Sequence, residues 1–331
     1  MRRYLIPEGN TRVIIVIGKG GTGKTTISAA LSVVLALKGY KTLIVSLDPA
    51  HNLGDVLGTP LEDRPKEIIE NLFAMELDMN KMIQQYLKNL EKSMKSMYKY
   101  LTTINLEKYF EILSLSPGIE EYATLDAISE VLMRKDEWDA IVFDTPPTGL
   151  TLRVLGLPRI SIIWVEKLID LRRKILERRR TIEKIKGETR IKIGEEEVKI
   201  PTKEEEDPVL KELGDYYMEV KEVYDILRDE RLTSLIGVMN LDRLSFYEIS
   251  RAYESLNRFE IPMRLLVINK VLESEDAKRN LPGLARLQEE VYSEVIERFR
   301  DLDIEKIGLL QEEPRGIKTL SRIGEIILEG H

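Results

Sequence analysis

The residues with the clearest chemistry lie in one run, Gly18-Lys19-Gly20-Gly21-Thr22-Gly23-Lys24-Thr25-Thr26. Glycines let successive backbone N–H groups turn inward onto an oxyanion, and a following helix adds its N-terminal dipole. Lys24 is spaced to reach the β- and γ-phosphates of a triphosphate, and the Thr25 hydroxyl suits Mg²⁺. Two carboxylates complete the set. Asp48 follows the mostly apolar stretch Lys41 to Leu47, and Asp144 follows Ala140 to Phe143. An unperturbed carboxylate, with a pKa of about 4, is a poor base at neutral pH. Asp48 is therefore expected to orient an attacking water, and Asp144 to hold Mg²⁺ in a Walker B arrangement. Either acid alone would read as a turn cap. Together with the glycine-rich run they predict binding and hydrolysis of a nucleoside triphosphate.

Such groups need a scaffold that brings three loops to one edge. Val13 to Ile17 reads as a buried strand ahead of the loop and Ile27 to Leu37 as the helix behind it, the context that G-x-x-x-x-G-K-T requires. Further strand candidates are Lys41 to Leu47, Leu72 to Leu77, Asp139 to Phe143, Thr233 to Met239, Arg264 to Asn269 and a stretch ending near Leu310. Helix candidates alternate with them. That alternation predicts an α/β fold, a P-loop nucleotide hydrolase with a mostly parallel, doubly wound sheet whose strand C-termini gather the ligand.

The alternation is interrupted twice. Apolar residues at 79, 82, 83, 86, 87, 90, 94, 97, 98 and 101 recur in steps of three and four, which predicts a long helix continuing to about Leu113. Ser116-Pro117-Gly118 ends it, and a helix from Glu120 to Met133 follows. A second long helix is expected from about 161 to 186, then a period-two hairpin over 189–201 and a helix from Pro208 to about Asp229. We expect a single domain over 1–331 with a helical subdomain built from insertions at about 79–135 and 159–230.

Composition narrows the class. Charged residues are 32% and apolar residues 43%, so the chain is globular rather than disordered. A net charge of −7 argues against whole-molecule nucleic-acid binding. One face is basic, with Arg172, Arg173, Lys174, Arg178, Arg179, Arg180, Lys184 and Lys186. It suits nucleic acid or anionic lipid, or else a solvated helix face partly neutralised by Glu195 to Glu197 and Glu204 to Asp207. No aromatic residues interleave with the charges, which favours the second reading, and no nucleic-acid partner is expected. Without cysteine, disulfides, thiolate metal sites and a cysteine nucleophile are excluded, and zinc is not expected. The chain has no run of 18 apolar residues, and Met1 to Asn10 lacks a signal-peptide core, so a cytoplasmic location is expected. The last helix, Ile317 to Leu328, carries a stripe of Ile317, Leu320, Ile323, Ile326 and Ile327 that either covers the sheet or lies on a membrane.

With its extra lysine at Lys19, the loop resembles the deviant phosphate loop of dimeric ATPases such as MinD, ParA and the nitrogenase iron protein. Asp48-Pro49-Ala50-His51-Asn52-Leu53 and Asp144-Thr145-Pro146-Pro147-Thr148-Gly149 resemble the two switch loops of the ArsA family. That family includes the arsenite-pump ATPase and the ATPase that delivers tail-anchored membrane proteins. Leu115 to Glu121, Leu244 to Glu248 and Val267-Ile268-Asn269 are similar to further family segments. The likeness spans roughly residues 10–328 and lapses around 180–207.

The resemblance implies ATP and Mg²⁺ as cofactors and a nucleotide-dependent homodimer in which Lys19 reaches the partner subunit's ATP. Gly20, Gly21, Thr22, Gly23, Lys24, Thr25 and Thr26 would bind the phosphates and metal, Asp48 would position water, and Asn269 would contact adenine. Asp242 stands where the family has a glutamate near the nucleotide. Pro146 and Leu150 depart from the family's second switch, and Arg279 to Gly283 replaces the zinc-binding C-x-x-C of many members. Trivalent arsenic is a soft thiophile, so a cysteine-free chain disfavours the arsenite pump. The remaining implied role is a targeting factor. It would hold the transmembrane helix of a tail-anchored client in an apolar groove and release it on ATP turnover, with a membrane receptor as a further partner. Met75, Met79, Met82, Met94 and Met97 suit such a groove, or an ordinary core stripe; periodicity does not separate the two. A membrane-associated regulator of the MinD or ParA type is the alternative.

Overall fold

In chain order the sheet-forming half begins with β1 (Arg12–Gly18), α1 (Lys24–Leu37), β2 (Thr42–Ser46), α2 (Leu53–Leu57), β3 (Lys66–Ile69) and β4 (Leu72–Glu76). Helices α3 (Met79–Met97) and α4 (Ile119–Met133) lead to β5 (Ala140–Asp144) and the 39-residue α5 (Thr148–Lys186). A hairpin of β6 (Arg190–Ile193) and β7 (Glu196–Lys199) precedes α6 (Pro208–Arg228). The chain closes with β8 (Thr233–Asn240), α7 (Arg243–Arg258), β9 (Met263–Val271), α8 (Pro282–Arg298), β10 (Asp303–Gly308) and α9 (Gly316–Glu329). This computed structural model describes every residue except 51, 98–111, 188–189, 194–195, 200, 275–278 and 331. The expected continuation of the first long helix, and His51, lie outside the described residues.

Eight strands form one sheet in the order β10-β9-β8-β1-β5-β2-β4-β3. Every pairing is parallel except that of β3 with β4. Strand β1 is buried along its whole length, as a central strand covered on both faces must be. Strand β3 is the one the sequence pattern did not reveal. Lys66 and Glu67 are exposed at the sheet edge, and charged, short edge strands carry little apolar signal.

Two compact units divide the chain. Residues 1–79, 130–155 and 226–331 carry the sheet; residues 80–129 and 156–225 form a helical unit with the hairpin. In the first unit, α1 buries Ile27, Leu31 and Leu35 against β1 residues Ile14 and Val16. Helix α9 then covers α1 with Leu320, Ile323 and Ile327. A Cβ at Gly324 would stand 2.3 Å from the Ala30 carbonyl oxygen, so the two helices meet backbone to backbone. The terminal stripe is thus spent on the core and does not face a membrane. Overpacking this contact is costly: Gly324→Val should lower stability by about 3 kcal/mol in a urea titration. A loss below 0.5 kcal/mol would mean the helices separate easily.

Along α3, the described methionines are buried at Met82 and half-buried at Met79 and Met94. Met82, Ile83 and Leu87 are buried, and Met75 belongs to β4 in the sheet. The core reading therefore applies to that stripe. Two residues of the basic face of α5 are paired with acids. Arg172 Nη2 lies 2.7 Å from Asp207 Oδ2, with Nε donating to Oδ1 at 3.1 Å, and Arg173 pairs with Glu204.

Helix α5 differs from expectation in another way. It buries Val165 and Leu176 but leaves Ile160, Ile163, Trp164, Leu168 and Leu171 between 42 and 66% exposed. Those positions share one face at helical spacing. Over Thr148–Ile185 the helix is long and apolar enough to span a membrane by length and composition, with 44% of its apolar window buried. Counting uninterrupted apolar runs missed this, because single polar residues break the stretch without changing its average.

Candidate active site

Three strand ends meet beside α1. Strand β5 lies between β1 and β2, with Asp144 in register with Val16 on one side and Ser46 on the other. Asp144 and Asp48 are thereby carried to the same edge as the phosphate loop. Within the loop, Gly21 and Gly23 have φ of 80° and 101°, where side chains are strained. Thr22 caps the turn from inside: its N–H and hydroxyl both donate to the Lys19 carbonyl, the hydroxyl at 2.8 Å. Lys24 is buried at the first turn of α1, while Lys19, Thr25 and Thr26 are half-buried and Gly20 is exposed.

Asp144 is fully buried and surrounded by hydroxyls. Thr25 Oγ1 donates to Oδ2 at 2.8 Å, and Ser46 Oγ stands 3.5 Å from the same oxygen. Ser28 Oγ lies 3.3 Å from Oδ1 and 2.9 Å from the Lys24 carbonyl, and its single proton serves one of them at a time. Burial pushes the Asp144 carboxyl up to about 6, against the lowering effects of the Thr25 hydroxyl and the Lys24 ammonium; nearby Asp48 adds to the rise. An acid raised on folding contributes stability that is present below its unfolded value and is lost as pH climbs through the folded one. For Asp144 that window runs from about 4 to 6. Without nucleotide, Asp144→Asn should therefore stabilise the protein more at pH 7.5 than at pH 4.5, by about 2 kcal/mol. Equal effects in urea titrations at the two pH values would show that folding leaves the titration of Asp144 unshifted.

Asp48 is half-buried at the end of β2, and its Oδ1 accepts the Ala50 N–H at 3.1 Å, which shapes its own loop. Asn269, at the end of β9, packs against the phosphate loop from the far side. Its Nδ2 donates to the Thr22 carbonyl at 2.8 Å, and a Cβ on Gly23 would lie 2.3 Å from that nitrogen. Asp242 is the N-cap of α7: Oδ1 accepts the Ser245 N–H at 2.9 Å and Oδ2 accepts its hydroxyl at 2.7 Å. Such a cap contributes roughly 1 kcal/mol to a helix.

Several residues at this edge were not singled out in the sequence. Ser28 follows Lys24 by one helical turn, and Ser46 ends a strand that pairs with Asp144; only the fold joins them to the carboxylate. Thr148 Oγ1 and Asn240 Oδ1 are buried polar atoms without a hydrogen-bond partner. Lys270 reaches the loop from β9 and bonds the Gly21 carbonyl at 2.8 Å.

A phosphate loop after the central strand, with acids at the ends of the next two strands on one side, defines a P-loop nucleoside-triphosphate hydrolase. Residues 11–329 match the anion-transporting ATPase family. The chain belongs to that ArsA family and is an ATPase. It is 32% identical over 96% of its length to putative arsenical pump-driving ATPase 2 of Aquifex aeolicus, covering 99% of that protein. It is 31% identical to ATPase ASNA1 homolog 1 of Paramecium tetraurelia, with 96% of this chain and 92% of the relative aligned. ATPase get3 of Aspergillus terreus is 28% identical over 98% of this chain and 92% of its own.

Proposed function

We propose that this ATPase is a cytoplasmic targeting factor that holds the transmembrane helix of a tail-anchored membrane protein and releases it on ATP turnover. One observation carries the reading: the exposed stripe Ile160, Ile163, Trp164, Leu168 and Leu171 on α5. Five large apolar side chains on one helix face are what an apolar partner helix requires, and water penalises leaving them bare. The relatives named ASNA1 and get3 support it. Relatives named as arsenical pump-driving ATPases are equally similar, but a soft trivalent arsenic site needs thiolates, and this chain has no cysteine. The regulator of MinD or ParA type loses its support because the α9 stripe is buried against α1.

In this reading the loop N–H groups and Lys24 hold the triphosphate, and Lys19 reaches the partner subunit's ATP in a nucleotide-dependent homodimer. Asp48 holds the attacking water in line. Mg²⁺ fits the oxygen-only donor set of the Thr25 hydroxyl and the buried Asp144 carboxylate, which such a hard cation prefers. When bound, the ion neutralises phosphate charge. In the same reading the Asn269 amide contacts adenine, and a membrane receptor would accept the released client.

The test is co-expression with a tail-anchored protein, followed by protease treatment of the purified complex. Protection of the client's transmembrane helix is expected, together with soluble complex in detergent-free buffer. A client that aggregates or is digested as fast as when alone would sink the proposal.

A further inference from the structure

Helix α2 follows the Asp48 loop directly, and the loop gives it no cap. Asn52, the N-cap residue, makes no side-chain bond to the helix. The first N–H groups of a helix have no acceptor within it. Gly54 is buried, where an unmet donor is costly. Its acceptor comes from another strand. Glu76, the last residue of β4, takes the Gly54 N–H on Oε1 at 3.0 Å. Glu76 is in register with Ser46, and Ser46 with Asp144. The carboxylate that caps α2 thus ends the same row of strands that carries Asp144 to the site.

The segment that bears Asp48 is therefore fixed to the sheet on both sides. Before it, the Leu47 N–H donates to the Asp144 carbonyl at 2.9 Å. After it, Glu76 holds Gly54. Leu53 and Leu57 also bury α2 in the core that α1 shares. Apolar burial is non-directional, however, and does not set the height of a short helix along the sheet. A hydrogen bond to a carboxylate is directional and roughly twice as strong as a neutral one. The chain beyond α2 closes on the same residue: the Thr59 N–H donates to the Gly54 carbonyl at 2.9 Å. A Cβ on Gly54 would lie 2.9 Å from the Thr59 carbonyl oxygen, so the approach is close. The backbone of Glu76 joins in, its N–H donating to the Glu62 carbonyl at 2.9 Å.

We propose that Glu76 is a positioning residue for ATP hydrolysis: through Gly54 it fixes the loop that presents Asp48 to the attacking water. The inference rests on the reading of Asp48 as the group that orients this water, and adds what orients Asp48. Glu76 acts through the backbone of the loop.

The test is a double-mutant cycle read by steady-state ATP hydrolysis on the full chain. Glu76→Met keeps the length of the side chain and removes its oxygens; Glu76→Gln keeps an oxygen for the Gly54 N–H. In Glu76→Met, kcat should fall about tenfold while the KM for ATP stays within about twofold, because the phosphate loop is untouched. Glu76→Gln should recover kcat to within about threefold of the parent. Glu76→Met combined with Asp48→Asn should be no slower than Asp48→Asn alone, since a residue that acts through Asp48 has nothing further to remove. A double variant about tenfold slower than Asp48→Asn would overturn the proposal, because the two effects would then be independent. A Glu76→Gln variant as slow as Glu76→Met would do the same, as would a raised KM with kcat unchanged. Parent-like turnover in Glu76→Met beside a slow Asp48→Asn would sink the proposal alone. Parent-like turnover in Asp48→Asn would sink the reading of Asp48, and the proposal with it.

Discussion

An Asp48→Asn variant should bind ATP within about twofold of the parent and turn it over at least ~100-fold more slowly. The reasoning is geometric. Asp48 and Asp144 end adjacent strands, so Asp48 stands at the same edge as the phosphate loop and close enough for its charge to act on Asp144. Asparagine preserves the size and the bond to the Ala50 N–H, through its amide oxygen, so the loop should keep its shape. What is lost is an acceptor strong enough to fix both orientation and lone-pair direction of a water, and misplacing a nucleophile by an ångström costs on the order of 100-fold. Single-turnover phosphate release, beside a nucleotide titration, separates the two quantities. Turnover within fivefold of the parent would remove Asp48 from the reaction. A slow variant that still binds nucleotide should also retain its client, since release is proposed to follow hydrolysis.

The second large effect belongs to the helical unit. Trp164→Glu with Leu171→Glu should abolish recovery of a tail-anchored client, lowering its yield at least ~100-fold. Trp164 and Leu171 are seven residues apart, two turns along one face of α5, and 66 and 54% exposed. An apolar helix seated on that face would bury two unpaired carboxylates, each costing several kcal/mol. Because both side chains face solvent in the free protein, its melting temperature should hardly move. Client yield near the parent's level would locate the binding surface elsewhere. Light scattering with ATP adds a control: a stripe used only to join two copies of this chain would lose the dimer and not the client.

The legibility of this protein follows the range of each interaction. The phosphate loop was readable because glycine spacing, Lys24 and Thr25 act within a few residues of chain, where type and order suffice. The parallel sheet was readable for the same reason, each central strand being an unbroken apolar run between turn residues. The charged edge strand β3 was not, since its partner supplies the order that its own composition lacks.

Apolar stripes mark the boundary. Two helices, α3 and α9, showed one in the sequence, and both were candidates for a binding surface. On α3, Met82 turned out to be packed inside, the α9 stripe closed over α1 through Gly324, and α5, read in the sequence for its basic face, kept an apolar face exposed. A helix with two apolar faces has no single dominant stripe, and the choice of covered face is made by neighbours far away in the chain. The same holds at the site: Lys270 and Gly21 are 249 residues apart, as are Ser46 and Asp144 by 98. The sequence by itself therefore determined the chemistry, a triphosphate loop with two acids at strand ends, because those signals are local. The tertiary structure decided which hydroxyls hold Asp144, which lysine leans over the loop and which apolar face remains bare, because each depends on surfaces that meet only when the chain is folded.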